Sequence, residues 1–94
     1  MARAERWPYN DVNGKVYGYP AVIDLNIAIR NDMHVLVEVK SSISGSDVDG
    51  FWSIGRLYES SDVRHRLVIV SPYVDDRAAE LSRELGMEVY TGVT

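Results

Sequence analysis

The sequence predicts a single α/β domain spanning residues 1–94, and three observations support this prediction. Residues 22–29 alternate apolar and polar side chains, which is typical of a strand with one buried face. Residues 67–70 form an unbroken apolar run, as expected for a strand covered on both faces. Residues 47–59 and 75–85 carry apolar side chains at helical spacing. Strands that alternate with helices in this way indicate a sheet with helices packed on it.

The expected elements follow from turn residues and capping residues. The strands are expected as a short extended piece at 7–11 and as strands at 15–19, 22–29, 34–40, 66–71 and 87–91. A first helix is expected to begin after Ser44 or Ser46, either of which can cap it, and to end near Ser60. A second helix begins after Asp75, and Gly86 ends it with a left-handed residue. The resulting order is βββαβαβ.

Composition excludes several classes of protein. The chain has 94 residues, no Cys and a formal charge of −4, which argues against a disulfide framework and a general electrostatic grip on nucleic acid. The longest apolar run has only four residues, so we expect no membrane span. The first residues lack an apolar signal-peptide core, which predicts a cytoplasmic protein. Any role with nucleic acid must therefore come from a specific site.

Three ionisable residues on neighbouring strands form the candidate site. Asp24 lies on one predicted strand, and Glu38 and Lys40 share a face of the next. Carboxylate oxygens, with a backbone carbonyl such as that of Val39, are the ligands that Mg²⁺ and Mn²⁺ prefer. A lysine ammonium beside the ion can hold an attacking water or stabilise charge on phosphorus. The alternative is an ion-paired cluster on a solvated strand face.

These residues resemble the signature of the PD-(D/E)XK nuclease superfamily, an Asp followed by Asp/Glu-x-Lys on an adjacent strand. Here thirteen residues separate Asp24 from Glu38-Val39-Lys40. A small archaeal and bacterial branch of this superfamily, mostly of unassigned role, is similar over more of the chain. The similar segments are 37–42 (VEVKSS), 55–59 (GRLYE), 78–81 (AAEL) and 85–90 (LGMEVY). The resemblance implies a restriction endonuclease-like mixed central sheet flanked by helices.

The chain also departs from the pattern that the resemblance implies. Ile23 replaces the Pro that often precedes the motif Asp, and Val22 stands where similar proteins carry a further acid. The helix that usually opens the fold, and often donates an acid, has no counterpart before Trp7. Glu5 substitutes for that acid only if its segment folds back. Either a partner subunit completes the site or catalysis has weakened.

The hairpin between the two motif strands sets a geometric requirement. Directly opposite residues of an antiparallel pair share a face, so Asp24 meets Glu38 only if paired positions sum to an even number. A two-residue turn at Asn31-Asp32 gives an odd sum and puts Asp24 on the wrong face. We therefore predict a loop of three or five residues, or a β-bulge.

Weaker candidates have structural alternatives that stay open. Ser41 and Ser42 can contact a backbone phosphate through their amides, or the loop merely leads into a helix cap. Arg56 can contact a phosphate or pair with Glu59 on the same helix. The aromatic residues Trp7, Tyr9, Tyr17 and Tyr19 can stack on bases or supply core and dimer contacts. His34 and His65 are far apart along the chain and are expected to lie at the surface.

The favoured function is a Mg²⁺- or Mn²⁺-dependent endonuclease that hydrolyses phosphodiester bonds in DNA, with RNA less favoured. Asp24, Glu38 and the carbonyl of Val39 would hold the ion, and Lys40 would orient the water. We expect a homodimer, because a subunit of this size offers little area for DNA. The alternative is a catalytically weakened module that serves oligomerisation or partner binding. A structural protein without a ligand is the third possibility.

Overall fold

A five-stranded mixed sheet with two helices forms the fold in a computed structural model, which describes residues 2–59 and 65–91. The elements are β1 (Ala2–Asp11), β2 (Ala21–Arg30), β3 (Met33–Val39), α1 (Gly45–Glu59), β4 (His65–Val70), α2 (Asp76–Glu84) and β5 (Glu88–Tyr90). The strands lie side by side in chain order, with β1, β2 and β3 antiparallel and β3, β4 and β5 parallel. The predicted α/β class and the order βββαβαβ are confirmed.

Both helices cover the same face of the sheet. The β3-α1-β4 and β4-α2-β5 connections join parallel strands and move across the sheet in the same direction, and α1 contacts α2. Crossovers of one handedness that move in one direction place their helices on one face. The core lies between this helical layer and the sheet, and its largest fully buried apolar side chains are Phe51, Leu36, Ile43, Ile69 and Val48. The other face of the sheet carries no helix from the described part of the chain. We call it the helix-free face.

The first strand differs from the prediction. Residues 15–19 do not form a strand, and β1 instead spans Ala2–Asp11 and pairs with β2 along its whole length. The carboxylate of Asp11, which is 1% exposed, accepts the backbone N–H groups of Lys15 and Val16 at 3.1 and 2.9 Å. These N–H groups are therefore used to fold residues 12–20 into a loop rather than to build a sheet ladder.

The prediction of a three- or five-residue loop, or of a β-bulge, between β2 and β3 is wrong. Arg30 pairs directly with Met33, so a two-residue turn of Asn31 and Asp32 joins the strands, and no bulge follows in the ladder down to the Asn26–Val37 pair. Both turn residues have positive φ, 50° and 67°, as a type I′ turn requires. Asn and Asp tolerate this conformation better than other non-glycine residues, which explains why the tightest turn forms here.

The helices begin and pack as their sequences indicate. The helical spacing of apolar residues in 47–59 places one stripe of α1 against the sheet, with Trp52 half-buried and the other members buried. The members of this stripe are Val48, Phe51, Trp52, Gly55 and Tyr58. A Cβ at Gly55 would lie 2.9 Å from Leu67 Cδ2, so glycine lets α1 approach β4 closely. Asp75 caps α2 by accepting the N–H of Ala78 at 2.7 Å, and Gly86 follows with φ of 74°.

The two edges of the sheet are β1 and β5. The strand β1 carries the exposed charges Arg3, Glu5 and Arg6, together with Pro8, which has no N–H to donate. The other edge, β5, has only three residues. Among residues 2–59 and 65–91, no helix is long and apolar enough to cross a membrane.

Replacing Asp32 tests the type I′ turn. We expect Asp32→Gly to raise the free energy of unfolding by about 0.5 kcal/mol, because glycine adopts positive φ without a steric penalty. Asp32→Val should lower it by about 1 kcal/mol or more, since a β-branched residue is strained at this φ. Urea denaturation measures both changes. An unchanged free energy of unfolding in Asp32→Val would contradict the two-residue turn.

Candidate functional site

Glu38 and Lys40 lie together where β3 ends, on the face that the helices cover. Their position follows from strand alternation, because Leu36 on the same face is completely buried in the core. Glu38 is half-buried and Lys40 is exposed. The helix α1 begins at Gly45, only five residues after Lys40, so its first turn returns over both side chains. The structure therefore brings together two of the three residues of the predicted motif.

Asp47, in the first turn of α1, completes the cluster. Lys40 Nζ donates to Asp47 Oδ1 at 3.0 Å. The other oxygen, Oδ2, accepts the backbone N–H of Ser44 at 2.8 Å and its hydroxyl at 3.0 Å. The N–H of Asp47 in turn points at Ser44 Oγ, 3.4 Å away, which resembles a reciprocal capping arrangement. Helix capping thus fixes the carboxylate that orients Lys40. We call Glu38, Lys40 and Asp47 the β3-end cluster.

The groups of the β3-end cluster shift one another's protonation. Burial raises the pKa of Glu38, and the charge of Asp47 raises it further although Lys40 opposes this. The hydrogen bond to Asp47 raises the pKa of Lys40 against a smaller opposing effect of burial. Burial would raise the pKa of Asp47, but hydrogen bonds from Ser44 and Lys40 outweigh it and hold that pKa below its usual range. Lys40 is therefore an ammonium at neutral pH, next to a carboxylate whose charge is only partly compensated.

Tyr17, from the loop after β1, lies beside the same cluster. Burial raises the pKa of its hydroxyl, and the charge of Glu38 raises it further. Its ring lies against the start of α1, since a Cβ at Gly50 would be 3.5 Å from Tyr17 Cε1. Sequence reasoning treated Tyr17 only as one of several aromatic residues. The turn residues at positions 13 and 14 indicated a change of direction there, but not the contact with α1.

Asp24 lies on the helix-free face, away from Glu38. The Asn26–Val37 register, continued by two residues, places Asp24 opposite Val39 rather than Glu38. On that face Arg6 forms an ion pair with it, and Arg6 Nε donates to Asp24 Oδ1 at 3.2 Å. The predicted meeting of Asp24 with Glu38 is therefore not found. The physical reason is the odd sum of paired positions that the two-residue turn imposes.

Other predicted site residues are spread around the cluster. Ser41 and Ser42 are exposed directly after β3, and the side chain of Val39 is 61% exposed on the helix-free face. Arg56 is exposed near the end of α1 and lines a depression with Lys15 from the loop. Its predicted partner, the side chain of Glu59, lies outside the described part of the structure.

The opposite end of the sheet holds the residues that cannot join the site. Glu5 lies near the end of α1, where its charge raises the pKa of Tyr58 after the larger effect of burial. It therefore cannot replace the missing acid at the β3-end cluster. His34 and His65 were expected as separate surface residues. They are instead paired neighbours on β3 and β4, and both imidazole rings pack against the ring of Tyr58. Trp7 and Tyr9 pack against the core, as the structural alternative expected.

The cluster provides two carboxylate donors for a divalent ion. Within residues 2–59 and 65–91, no group of three His, Cys, Asp or Glu side chains is placed to hold a metal. Mg²⁺ needs only one or two protein carboxylates when waters and substrate phosphates complete its shell. Glu38, whose charge burial disfavours, and Oδ1 of Asp47 meet this lower requirement. Both carboxylates are of the donor type that a hard divalent ion prefers, and the second carboxylate of the cluster comes from Asp47 rather than from Asp24.

A family model of the PD-(D/E)XK nuclease superfamily matches residues 21–88. The chain belongs to the PD-(D/E)XK nuclease superfamily. The match runs from the first residue of β2 to the first residue of β5, so it contains the whole β3-end cluster. No curated protein and no solved structure matches the chain. This nuclease-superfamily domain carries β1 and the loop with Tyr17 outside the matched residues.

Sequence reasoning missed Asp47 as a site residue. In the sequence, Asp47 is an acid in the first turn of the predicted first helix, and such an acid favours a helix in general. A stronger signal is the distance along the chain, because only a short loop separates the end of β3 from α1. Any acid in that first turn is carried back to the residues that end β3. The connection, rather than the motif alone, identifies this carboxylate.

Replacing Glu38 tests the electrostatics of the cluster. Folding raises the pKa of Glu38, so its stabilising contribution is full below the ordinary value of 4.5 and is lost as the pH rises through the folded-state pKa. We therefore expect Glu38→Gln to raise the melting temperature at pH 7, with the difference vanishing in acid. Glu88→Gln is the matched control, because Arg66 lowers the pKa of Glu88 and that variant should lose stability at pH 7. Thermal melts between pH 3 and 8 measure the melting temperatures of both variants. If both variants shift the melting temperature in the same direction at pH 7, the opposite pKa shifts assigned to Glu38 and Glu88 are contradicted.

Proposed function

We propose that this protein is an endonuclease that hydrolyses phosphodiester bonds in DNA with Mg²⁺ or Mn²⁺, RNA being the less favoured substrate. One observation carries the proposal: Glu38 and Lys40 share the helix-covered face at the end of β3, and Asp47 lies 3.0 Å from Lys40 Nζ. Membership of a nuclease superfamily supports the class of reaction. The cluster supplies what that reaction requires, namely oxygen donors for an ion and a fixed positive charge.

The metal ligands in this proposal come from β3 and α1. The carboxylate of Glu38, the backbone carbonyl of Val39 and Oδ1 of Asp47 would hold the ion. When bound, such an ion neutralises charge on the phosphate and lowers the pKa of a coordinated water. Binding would also relieve the unfavourable burial of the Glu38 carboxylate, since a cation favours the charged form. Ser41 and Ser42, exposed next to the cluster, would offer backbone amides to a phosphate.

Lys40 acts in this proposal as a positive charge and not as a base. Its pKa is raised by the hydrogen bond to Asp47, so the ammonium has no lone pair with which to accept a proton. It can donate to the attacking water and stabilise negative charge that develops on the phosphoryl oxygens. Asp47 positions Lys40 by fixing one of its three donors, and Ser44 fixes Asp47.

The cleavage experiment compares variants inside and outside the cluster. We expect Glu38→Gln and Lys40→Met to lower the Mg²⁺-dependent cleavage rate of labelled DNA by about 100-fold or more. Asp47→Asn should lower it by about 10- to 100-fold, because it weakens the positioning of Lys40 and removes a charged donor. Denaturing gels of single- and double-stranded substrates measure the products.

The matched control is Asp24→Asn, on the other face of the same sheet. We expect it to keep cleavage within about threefold of the unmodified chain, because an exposed pair with Arg6 contributes little to structure. Loss of cleavage in Asp24→Asn with full activity in Asp47→Asn would contradict the proposed ligand set.

A two-fold dimer belongs to the proposal, because a second copy would double the area that meets DNA. The helix-free face supports it with apolar residues open to solvent, among them Val22 at 71% and Val39 at 61% exposure. A groove of about 390 Å³ on this face has a largely apolar lining that includes Ala28 and Val37. Sedimentation velocity tests the dimer, and a monomer at all accessible concentrations would contradict it.

The second candidate function is a catalytically weakened module that binds a partner. The observation that favours it is the ion pair of Asp24 with Arg6, which leaves the cluster with two carboxylates. Paramagnetic broadening by Mn²⁺ separates the two functions. A metal site predicts selective loss of amide signals around Glu38 and Asp47, abolished in Glu38→Gln. Uniform or absent broadening would favour the module.

A further inference from the structure

The loop of residues 12–20 has a fixed shape. The buried carboxylate of Asp11 accepts N–H groups from Lys15 and Val16, and the Gly18 N–H donates to the carbonyl of Gly14 at 3.0 Å. Gly14 has φ of 64°, and a Cβ there would lie 2.7 Å from the backbone nitrogen of Tyr19. The loop therefore depends on glycine at this position, and its side chains are presented in one arrangement.

Two tyrosines of this loop stack on each other at the surface. The ring centroids of Tyr17 and Tyr19 are 5.9 Å apart, and the interplanar angle of 24° makes the rings stacked. They are 48% and 59% exposed, whereas Trp7 and Tyr9 pack against the core. We call Tyr17 and Tyr19 the tyrosine pair. The aromatic surface of the tyrosine pair is open to solvent, and the loop that carries it is held by hydrogen bonds to Asp11 and within the loop.

The tyrosine pair lies directly beside the β3-end cluster. The hydroxyl of Tyr17 lies within range of the charges of the cluster, and after burial the charge of Glu38 is the main cause of its raised pKa. The ring of Tyr17 also lies against Gly50, one turn into α1. A group stacked on the pair would therefore be next to the proposed cleavage site.

Two cationic residues, one from the loop and one from α1, line a depression between these two elements. Lys15, next but one before Tyr17, and Arg56 of α1 line one open depression of about 250 Å³, together with Ser53. Arg56 is six residues after Gly50, so it is displaced from Gly50 by about 9 Å along the helix axis. A cationic depression next to an aromatic surface matches the phosphate and the base of a nucleotide chain.

We propose that the tyrosine pair stacks with an unpaired base of a single-stranded segment, while Lys15 and Arg56 contact its phosphates. The proposal rests on the proposed nuclease function for the identity of the ligand, and it names the substrate class as DNA with a single-stranded region at the cleavage site. An unpaired base has a free face for stacking, whereas bases inside a duplex are already stacked on their neighbours. Stacking also suits a chain of formal charge −4, because it does not depend on a strongly basic surface.

Binding is measured apart from cleavage. Fluorescence anisotropy of a labelled oligo(dT) strand is recorded with Glu38→Gln protein in EDTA, and the same strand in a duplex is compared. We expect tighter binding of the single strand. Tyr17→Ala and Tyr19→Ala should each weaken it by about tenfold, which is within the range for loss of one base stack. Tyr17→Phe and Tyr19→Phe should each bind the single strand as tightly as the parent protein, because the stacking face of the ring is retained.

The controls separate the pair from a general effect. Tyr90→Ala removes a tyrosine of similar exposure, 55%, from β5 and should leave binding unchanged. For two phosphate contacts on a single strand, the logarithm of the binding constant should fall with the logarithm of salt concentration with a slope of about −1.4. Arg56→Ala should reduce that slope to about −0.7.

The outcomes distinguish this inference from the proposed function. Equal affinity of Tyr17→Ala, Tyr19→Ala and the parent protein for the single strand would overturn the inference, as would tighter binding of the duplex or no binding of DNA at all. Loss of binding in the alanine variants without any Mg²⁺-dependent cleavage by the unmodified chain would support the tyrosine pair and overturn only the proposed function. Cleavage that the alanine variants retain in full on both single strands and duplexes would overturn only the tyrosine pair.

Discussion

The register of the β2–β3 hairpin determines which side chains can meet at the end of β3. Two independent constraints set it: the positive φ angles of Asn31 and Asp32, and the burial of alternate residues of β2 together with Leu36. Because side chains alternate along a strand, a shift by one residue would expose the apolar set of β2 and bury its polar set. The hydrophobic effect therefore fixes Glu38 on the helical side and Asp24 on the other.

The β3-end cluster joins two kinds of stabilisation that oppose each other. Capping by Ser44 and the ion pair with Lys40 stabilise the Asp47 carboxylate, whereas burial destabilises that of Glu38. The charge of Lys40 lowers the pKa of Glu38 but does not cancel the effect of burial, so the charge of this carboxylate is only partly compensated. Such partial compensation lowers the free energy of unfolding at neutral pH. It also makes the binding of a cation at this position more favourable.

The sequence was sufficient to predict most of the fold. The alternation in β2, the apolar run in β4 and the caps of α2 are local signals, and the structure confirms the elements they predict. The face of Asp24 was also present in the pattern, since Asp24 alternates with the buried Ile23 and Leu25, whereas Glu38 lies on the same face as the buried Leu36. The pattern of β3 alone is misleading here, because Val35, Val37 and Val39 make the helix-free face of β3 more apolar than the buried face, which carries Leu36 together with Glu38.

The loop of residues 12–20 and Asp47 needed three-dimensional information. A strand was expected at 15–19 because valine and tyrosine favour strands, but the carboxylate of Asp11 takes the N–H groups that a strand would use. This competition between a side chain and a sheet ladder depends on where Asp11 is buried, which local composition does not contain. The contact of Tyr17 with α1 joins segments more than thirty residues apart, and only packing of the whole chain defines it.

The edge strand β1 has a consequence for how copies of this chain can assemble. Ten residues of open backbone would ordinarily recruit further strands and let the sheet grow without limit. Pro8 and the charges of Arg3, Glu5 and Arg6 make such growth unfavourable, and the three residues of β5 offer too short a template at the other edge. Edge-to-edge growth into fibrous polymers is thereby disfavoured, so the dimer proposed above would have to form through a face of the sheet.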